Sequence, residues 1–235
     1  MDLTDPTRAV TSTLDGPVLA VLAQAGRPLT VGEVAAQAAR GSELGVRKSL
    51  SRLVGEGIVR ATVMGRNRVH ELNRAHVAAP VAELLAGLRL ELWRRLRETL
   101  DAWDPKPIYA CVFGSAARGD GGPESDIDLL LVHPPFTGEA VPTMPKGTTF
   151  GGAAGALFGI VANMPPVLPV DQTAWDRQVD QLHGLVAEWT GNRLQAVDLG
   201  DYEWYMPADE TRGLLKEVKA ANIALIEPTI KPTSS

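Results

Sequence analysis

The residues Phe113-Gly-Ser-Ala-Ala-Arg-Gly-Asp-Gly-Gly-Pro-Glu-Ser-Asp-Ile-Asp-Leu-Leu-Leu-Val132 join two apolar runs through a small-residue turn and a glycine-rich loop. The run ending at Phe113 reads as a buried strand, and Asp126 to Val132 as a second one. Ala116 to Gly119 is short enough for one turn of helix. Asp126 and Asp128 stand two apart on a strand, so both side chains project from one face. Ile127 and Leu129 then point the other way, into a core. Two carboxylates held together repel each other, and a hard divalent cation relieves that repulsion. Mg²⁺ is commonly held by one or two carboxylates plus substrate phosphates. Two such ions can activate an attacking oxygen and steady a leaving pyrophosphate. Gly114 and Ser115 sit where the strand turns into the helix. A helix N-terminus offers free amides to phosphate, and glycine lets the backbone come close. Ser115 adds a hydroxyl, and Arg118, three residues on, lies on the same side with a positive charge.

Taken together, the Gly-Ser turn, the short helix and the Asp-x-Asp strand resemble the signature of the polymerase-β-like nucleotidyltransferase superfamily. They are especially similar to its small bacterial members, whose version reads GSxARG followed by SDIDLL. The resemblance is strong over 105–132 and looser over the helix 173–190, the strand NRLQAVDLG and the end LLKEVKAANIALI. It implies a mixed sheet with flanking helices. It also implies Mg²⁺- or Mn²⁺-dependent transfer of a nucleoside monophosphate from a nucleoside triphosphate (NTP) to a hydroxyl. Asp126 and Asp128 would be the catalytic metal ligands, and Gly114, Ser115 and Arg118 would bind the nucleotide. The family further implies a third carboxylate on a later strand. Aligned by apolar alternation, that place falls on Gln195. Asp198 is an odd offset away and should face the other side; Asp201 and Glu203 are rivals on a following loop. Nucleotide and metal binding are therefore better supported than efficient transfer. Ser125 and the glycines 119, 121 and 122 read as loop residues, and Cys111 as a core residue.

Ahead of this lies a different pattern. GPVLAVLAQAG at 16–26 reads as a short helix. Thr30 with Glu33 forms a capping box, opening a helix to about Ala39. Ser42 caps a third helix, with apolar Leu44, Val46, Leu50, Leu53 and Val54 near helical spacing, ended by Gly57. Ile58–Val63 and Val69–Leu72 are β-prone, joined by the turn Met64-Gly65-Arg66-Asn67. Residues 14–75 resemble the winged helix-turn-helix domain of bacterial regulators. That resemblance implies double-stranded DNA as a partner. Arg47, Lys48, Ser51 and Arg52 would enter the major groove, and Arg66, Asn67 and Arg68 on the wing would touch phosphates or minor groove. It also implies a homodimer.

The fold class expected is α+β, with an N-terminal winged helix-turn-helix and a C-terminal nucleotidyltransferase-like mixed sheet. The domains are read as 1–79, a leucine-striped connecting helix 80–104, and 105–228, with a Pro/Gly-rich insertion at 133–170. Charge follows the same division. Residues 1–79 carry ten basic and seven acidic residues, a net of +3, against −8 for the remainder, within a chain of −5. Segment 40–75 holds eight basic and three acidic residues, a net of +5, which suits a polyanionic partner. The single cysteine excludes an internal disulfide or a multi-cysteine zinc site. No apolar run is long enough for a membrane span, and the acidic N-terminus does not read as a secretory signal, so the cytoplasm is the expected compartment. By analogy with small nucleotidyltransferases, a partner protein of a toxin–antitoxin-like module is a further expectation.

Overall fold

A computed structural model describes residues 1–138, 168–205 and 207–227. By contact density the chain divides into two compact units. One is Met1–Arg94 with Gly119–Glu124, and the other Arg95–Arg118 with Ser125–Ser235.

In the first unit, α1 (Asp15–Gln24), α2 (Val31–Gln37) and α3 (Glu43–Gly55) surround an apolar core built on Val18, Leu22, Val34, Val46, Leu50 and Leu53. Burying each such side chain stabilises by about 1.5–3 kcal/mol. Thr30 caps α2 in a full capping box: its hydroxyl accepts from Glu33 N–H, while the Glu33 carboxylate accepts from Thr30 N–H at 2.7 Å. Ser42 accepts from Gly45 N–H and starts α3. Leu44, expected to face the core, is instead exposed. It lies in the first turn of α3, where Val46 takes the core-facing side instead. Strands β2 (Val59–Met64) and β3 (Asn67–Leu72) form an antiparallel hairpin. Gly65, at φ +62°, supplies the left-handed backbone that its tight turn requires. A two-residue strand β1 (Leu29–Thr30) adds to β3, giving the sheet order β1-β3-β2. Two residues are too few to show a period, so β1 leaves no mark in the sequence.

Helix α4 (Ala79–Asp101) carries the leucine stripe. The stripe is not uniform: Leu92, Leu96 and Leu100 are buried, whereas Leu84 is 70% exposed.

The second unit is a four-stranded mixed sheet in the order β6-β5-β4-β7. Its strands are β4 (Tyr109–Phe113), β5 (Ile127–His133), β6 (Leu194–Gly200) and β7 (Asn222–Ile226). The short helix α5 (Gly114–Arg118) follows β4 directly. Helix α6 (Gln172–Thr190), capped by Asp171, provides the long crossover that lets β6 run parallel to β5. After β6 come α7 (Asp201–Tyr205) and α8 (Asp209–Ala220). Asp201 and Glu203, expected on a loop, are thus on a helix. α7 is too short for helical periodicity to show.

One sheet face packs Tyr109, Cys111, Phe113, Leu130, Val132 and Leu199 against Leu215 and Val218 of α8. Strand alternation sends the fully buried Ile127, Leu129 and Leu131 to the other face. Most of the 133–170 insertion lies outside the described residues; its ends meet where Phe136 pairs with Val170. No helix among the described residues is long and apolar enough to cross a membrane.

Candidate functional site

The site grows out of the start of β5. Asp128 shares a face with Leu130 and Val132 and pairs across the sheet with Phe113, the last residue of β4. The chain must turn sharply there to enter α5. Gly114 makes that turn at φ +64°, and a Cβ at this position would collide with Asp128 Oδ2. The backbone at Gly114 is thus pressed against the inner carboxylate, and only glycine fits both the space and the dihedral. Ser115 follows and is half-buried, and Arg118 ends α5, with Nη1 3.9 Å from Glu217 Oε1 of α8. The five residues of α5 align too few peptide dipoles for the strong helix-end field expected from the sequence. What anion binding this turn offers rests on close backbone approach, the Ser115 hydroxyl and the Arg118 charge.

Asp126 stands just outside β5, on the same side as Asp128. Its carboxylate is gripped by Arg193, with Nη2 at 2.7 Å from Oδ2 and Nε at 3.2 Å from Oδ1. This fork holds the Asp126 carboxyl below the usual range. Asp128 shifts the opposite way. Burial raises it first, then the negative charges of Asp126 and Glu217, against a smaller pull from Arg118. One carboxylate is paired with a cation of the chain, and its neighbour is buried beside further negative charge that Arg118 only partly offsets.

The parallel register of β5 and β6 sets Gln195 directly beside Asp128 and on the same face. Asp198 lies beside Leu131, on the other face, and its electrostatic neighbours are His133, Asp176 and His183. Glu203 accepts from the Thr211 hydroxyl between α7 and α8. Among the described residues no group of three or more His, Cys, Asp or Glu side chains is placed to hold a metal. Two carboxylates and an amide oxygen are nevertheless hard donors, and a divalent cation would offset the negative charge gathered at Asp126, Asp128 and Glu217. The donor set fits Mg²⁺ bound jointly with substrate phosphates. Ser125 serves the turn, its carbonyl accepting from Asn192 Nδ2 at 2.9 Å. Burial pushes the Cys111 thiol up to about 11, so it is no nucleophile at neutral pH.

Arg193 was not legible as a site residue. Its one signal is position, two residues before Gln195 on the same strand face. Glu217 had no signal at all, because helix α8 reaches β5 only through the fold.

In the first unit, the seven expected DNA contacts divide into two sets. On α3, Arg52 Nη2 is 2.7 Å from Asp15 Oδ2, and Arg47 Nη2 is 2.9 Å from Glu43 Oε1. Ser49 fixes the other Asp15 oxygen at 2.6 Å. Lys48 and Ser51 are exposed on the same helix. On the hairpin, Arg66, Asn67 and Arg68 are all exposed, and neither arginine forms an ion pair among the described residues. Val63 and Met64 at the same tip are exposed as well.

Comparison with protein families matches residues 93–229, more than half of the chain, to the nucleotidyltransferase domain. No curated protein matches the chain. Among solved structures, the crystal structure of human N-acetylserotonin methyltransferase in complex with SAM is similar over 38% of this chain, at 20% identity and a TM-score of 0.25. The match spans only 28% of that chain, and a likeness so slight bears on neither fold nor function. The Gly-Ser turn, the carboxylate pair and the mixed sheet all fall within the family match, and the chain belongs to the nucleotidyltransferase domain family.

Proposed function

We propose that the protein transfers a nucleoside monophosphate from an NTP to a hydroxyl acceptor, with Asp126 and Asp128 holding Mg²⁺ or Mn²⁺. The observation that carries this reading is the packing of Gly114 against Asp128, with the Asp126 charge close enough to act on it. It sets the Gly-Ser turn directly beside the inner of two hard ligands. Ser115 would donate its hydroxyl to a phosphate oxygen, and Arg118 would offset phosphate charge while Glu217 keeps its side chain over the site. Arg193 would leave Asp126 as that carboxylate turns to the metal. The ion, when bound, supplies charge neutralisation to the phosphates and acidifies the attacking hydroxyl.

The experiment is incubation with α-labelled NTPs, Mg²⁺ and candidate protein, RNA and small-molecule acceptors, comparing wild type with Asp128→Ala. Wild-type-dependent labelling or pyrophosphate release supports transfer. Its absence in every combination counts against it.

The first unit adds a second role. Three helices and an antiparallel hairpin support reading it as a winged helix bound to double-stranded DNA, with the domain limits 1–79, 80–104 and 105–228. The hairpin arginines support a backbone-gripping wing. Replacing Arg66 or Arg68 by alanine should lower the salt dependence of binding by about one counterion each. Binding that ignores sequence and vanishes at moderate salt would sink this role.

Gln195 beside Asp128 favours a second reading of the whole protein, a transcription regulator whose nucleotidyltransferase domain senses nucleotide and transfers slowly. Nucleotide-dependent footprints without transfer would select it. The proposed setting is the cytoplasm. A homodimer and a partner protein of a toxin–antitoxin-like pair are tested by light scattering and by co-purification with the product of the adjacent gene.

A further inference from the structure

The first unit contains a cavity of about 310 Å³ that neither transfer nor DNA binding uses. It lies between the N-terminal segment, α1, the end of α2 and α4. Pro17, Ala20, Val21 and Leu85 give it an apolar stretch, and Thr4, Thr7, Gln24 and Gln37 add neutral polar groups. Its volume is at the lower end of the range for small-molecule sites. Two charged groups line it, and they differ. Asp5 is almost fully buried and already matched: Arg40 donates to one oxygen, and the Thr7 hydroxyl to the other. Arg89 is not matched. One of its NH₂ groups donates to the Leu3 carbonyl, but its Nε is buried without a hydrogen-bond partner. A buried donor on a cation is costly to leave unsatisfied, and an acceptor with negative charge would satisfy it best.

We propose that this cavity binds a small carboxylate: a compact apolar body seated on Pro17, Ala20 and Val21, with one carboxylate on Arg89. The charge count selects a monoanion. Asp5 and Arg40 cancel, which among the described residues leaves Arg89 as the one uncompensated charge in the wall. The apolar stretch of Pro17, Ala20, Val21 and Leu85 seats a compact hydrocarbon or aromatic body, and a single cation suits one carboxylate better than a polyphosphate. The site belongs wholly to the first unit, so its fate is independent of the transfer reading.

The test uses the full-length protein and two probes, 2-naphthoate and its neutral analogue 2-naphthamide, titrated by calorimetry and ligand-observed NMR. Saturable naphthoate binding is expected, with the amide weaker by about tenfold or more. Gln37, at the exposed end of α2, lines the same cavity. Gln37→Glu should weaken naphthoate several-fold and leave the amide unchanged. Ala20→Phe should abolish binding of both by filling the apolar stretch, and Arg89→Gln should erase the preference for the anion. Should Arg89→Gln or Ala20→Phe fail to fold, Gln37→Glu decides alone. The proposal is overturned by absence of saturable naphthoate binding, by equal binding of the amide, or by a naphthoate affinity that Gln37→Glu leaves unchanged.

Discussion

Asp126 and Asp128 are two residues apart, one just before β5 and one within it, and the fold treats them oppositely. The outer carboxylate is exposed enough to meet Arg193 and is held ionised by its guanidinium fork. The inner one is pressed between the Gly114 backbone and the charges of Asp126 and Glu217, and is pushed towards its protonated form. Identical side chains thus acquire different tasks from their surroundings. The outer one is held as an anion, and the inner one is pushed towards its neutral form, first by burial and then by the charges around it. This is how functional sites commonly trade stability for chemistry.

The largest effect should come from removing the inner charge. Asp128→Asn is expected to lower transfer by about 100-fold or more. The same change should stabilise the protein, and the sign follows from the direction of the shift. The folded carboxyl is raised, so the native state binds more protons than the unfolded chain just above the ordinary value of 3.8. Wild-type stability therefore falls as pH rises through that window. Without divalent cations, Asp128→Asn should melt higher than wild type at pH 7 and equally below pH 3.8. A calorimetric pH series reads this directly.

Gly114→Ala attacks the same half from the backbone side. It combines a left-handed φ with a collision against Asp128 and should cost about 2 kcal/mol. That corresponds to a melting temperature lower by about 4–8 °C, with nucleotide affinity lost in titrations. Gln195→Glu sharpens the contrast by adding a third carboxylate in register with Asp128. Mn²⁺ should then bind about tenfold tighter by electron paramagnetic resonance, because ligand charge count sets affinity. An unchanged affinity would show that Gln195 lies outside the metal's reach.

The smallest effect belongs to the outer pair. Arg193 is largely exposed, so Arg193→Ala should change stability by less than about 0.5 kcal/mol. Its signature is a titration: the Asp126 carboxyl should return upward to the ordinary range by NMR. Any stability that Asp126 gains from this pair is present above the unfolded value and is lost as pH falls through its lowered folded value.

Much of this was legible because it is local. Two carboxylates two apart on a strand share a face whatever surrounds them. A Thr with Glu three residues on can close a capping box with no help from the rest of the chain. The alternation along NRLQAVDLG put Gln195 and not Asp198 on the face of Asp128, and the parallel register sets it beside Asp128. What was not legible depends on distant segments. Leu44 has helical spacing but no neighbour to cover it. The pairing of Arg52, expected as a DNA contact, with Asp15 of another helix has no signal in the chain either.

The sequence by itself determined the elements that depend on period, spacing and capping: the paired carboxylates, the glycine turn before them, the hairpin and the helices with their caps. The tertiary structure alone decided which charges are matched. Arg193 reaches Asp126 across two parallel strands, Glu217 comes to Asp128 from α8, and Arg89 is left with an unsatisfied nitrogen beside an apolar cavity. The reason is physical. Backbone preferences act between near neighbours in the chain, whereas electrostatic partnership acts through space and is set only when the core brings remote segments together.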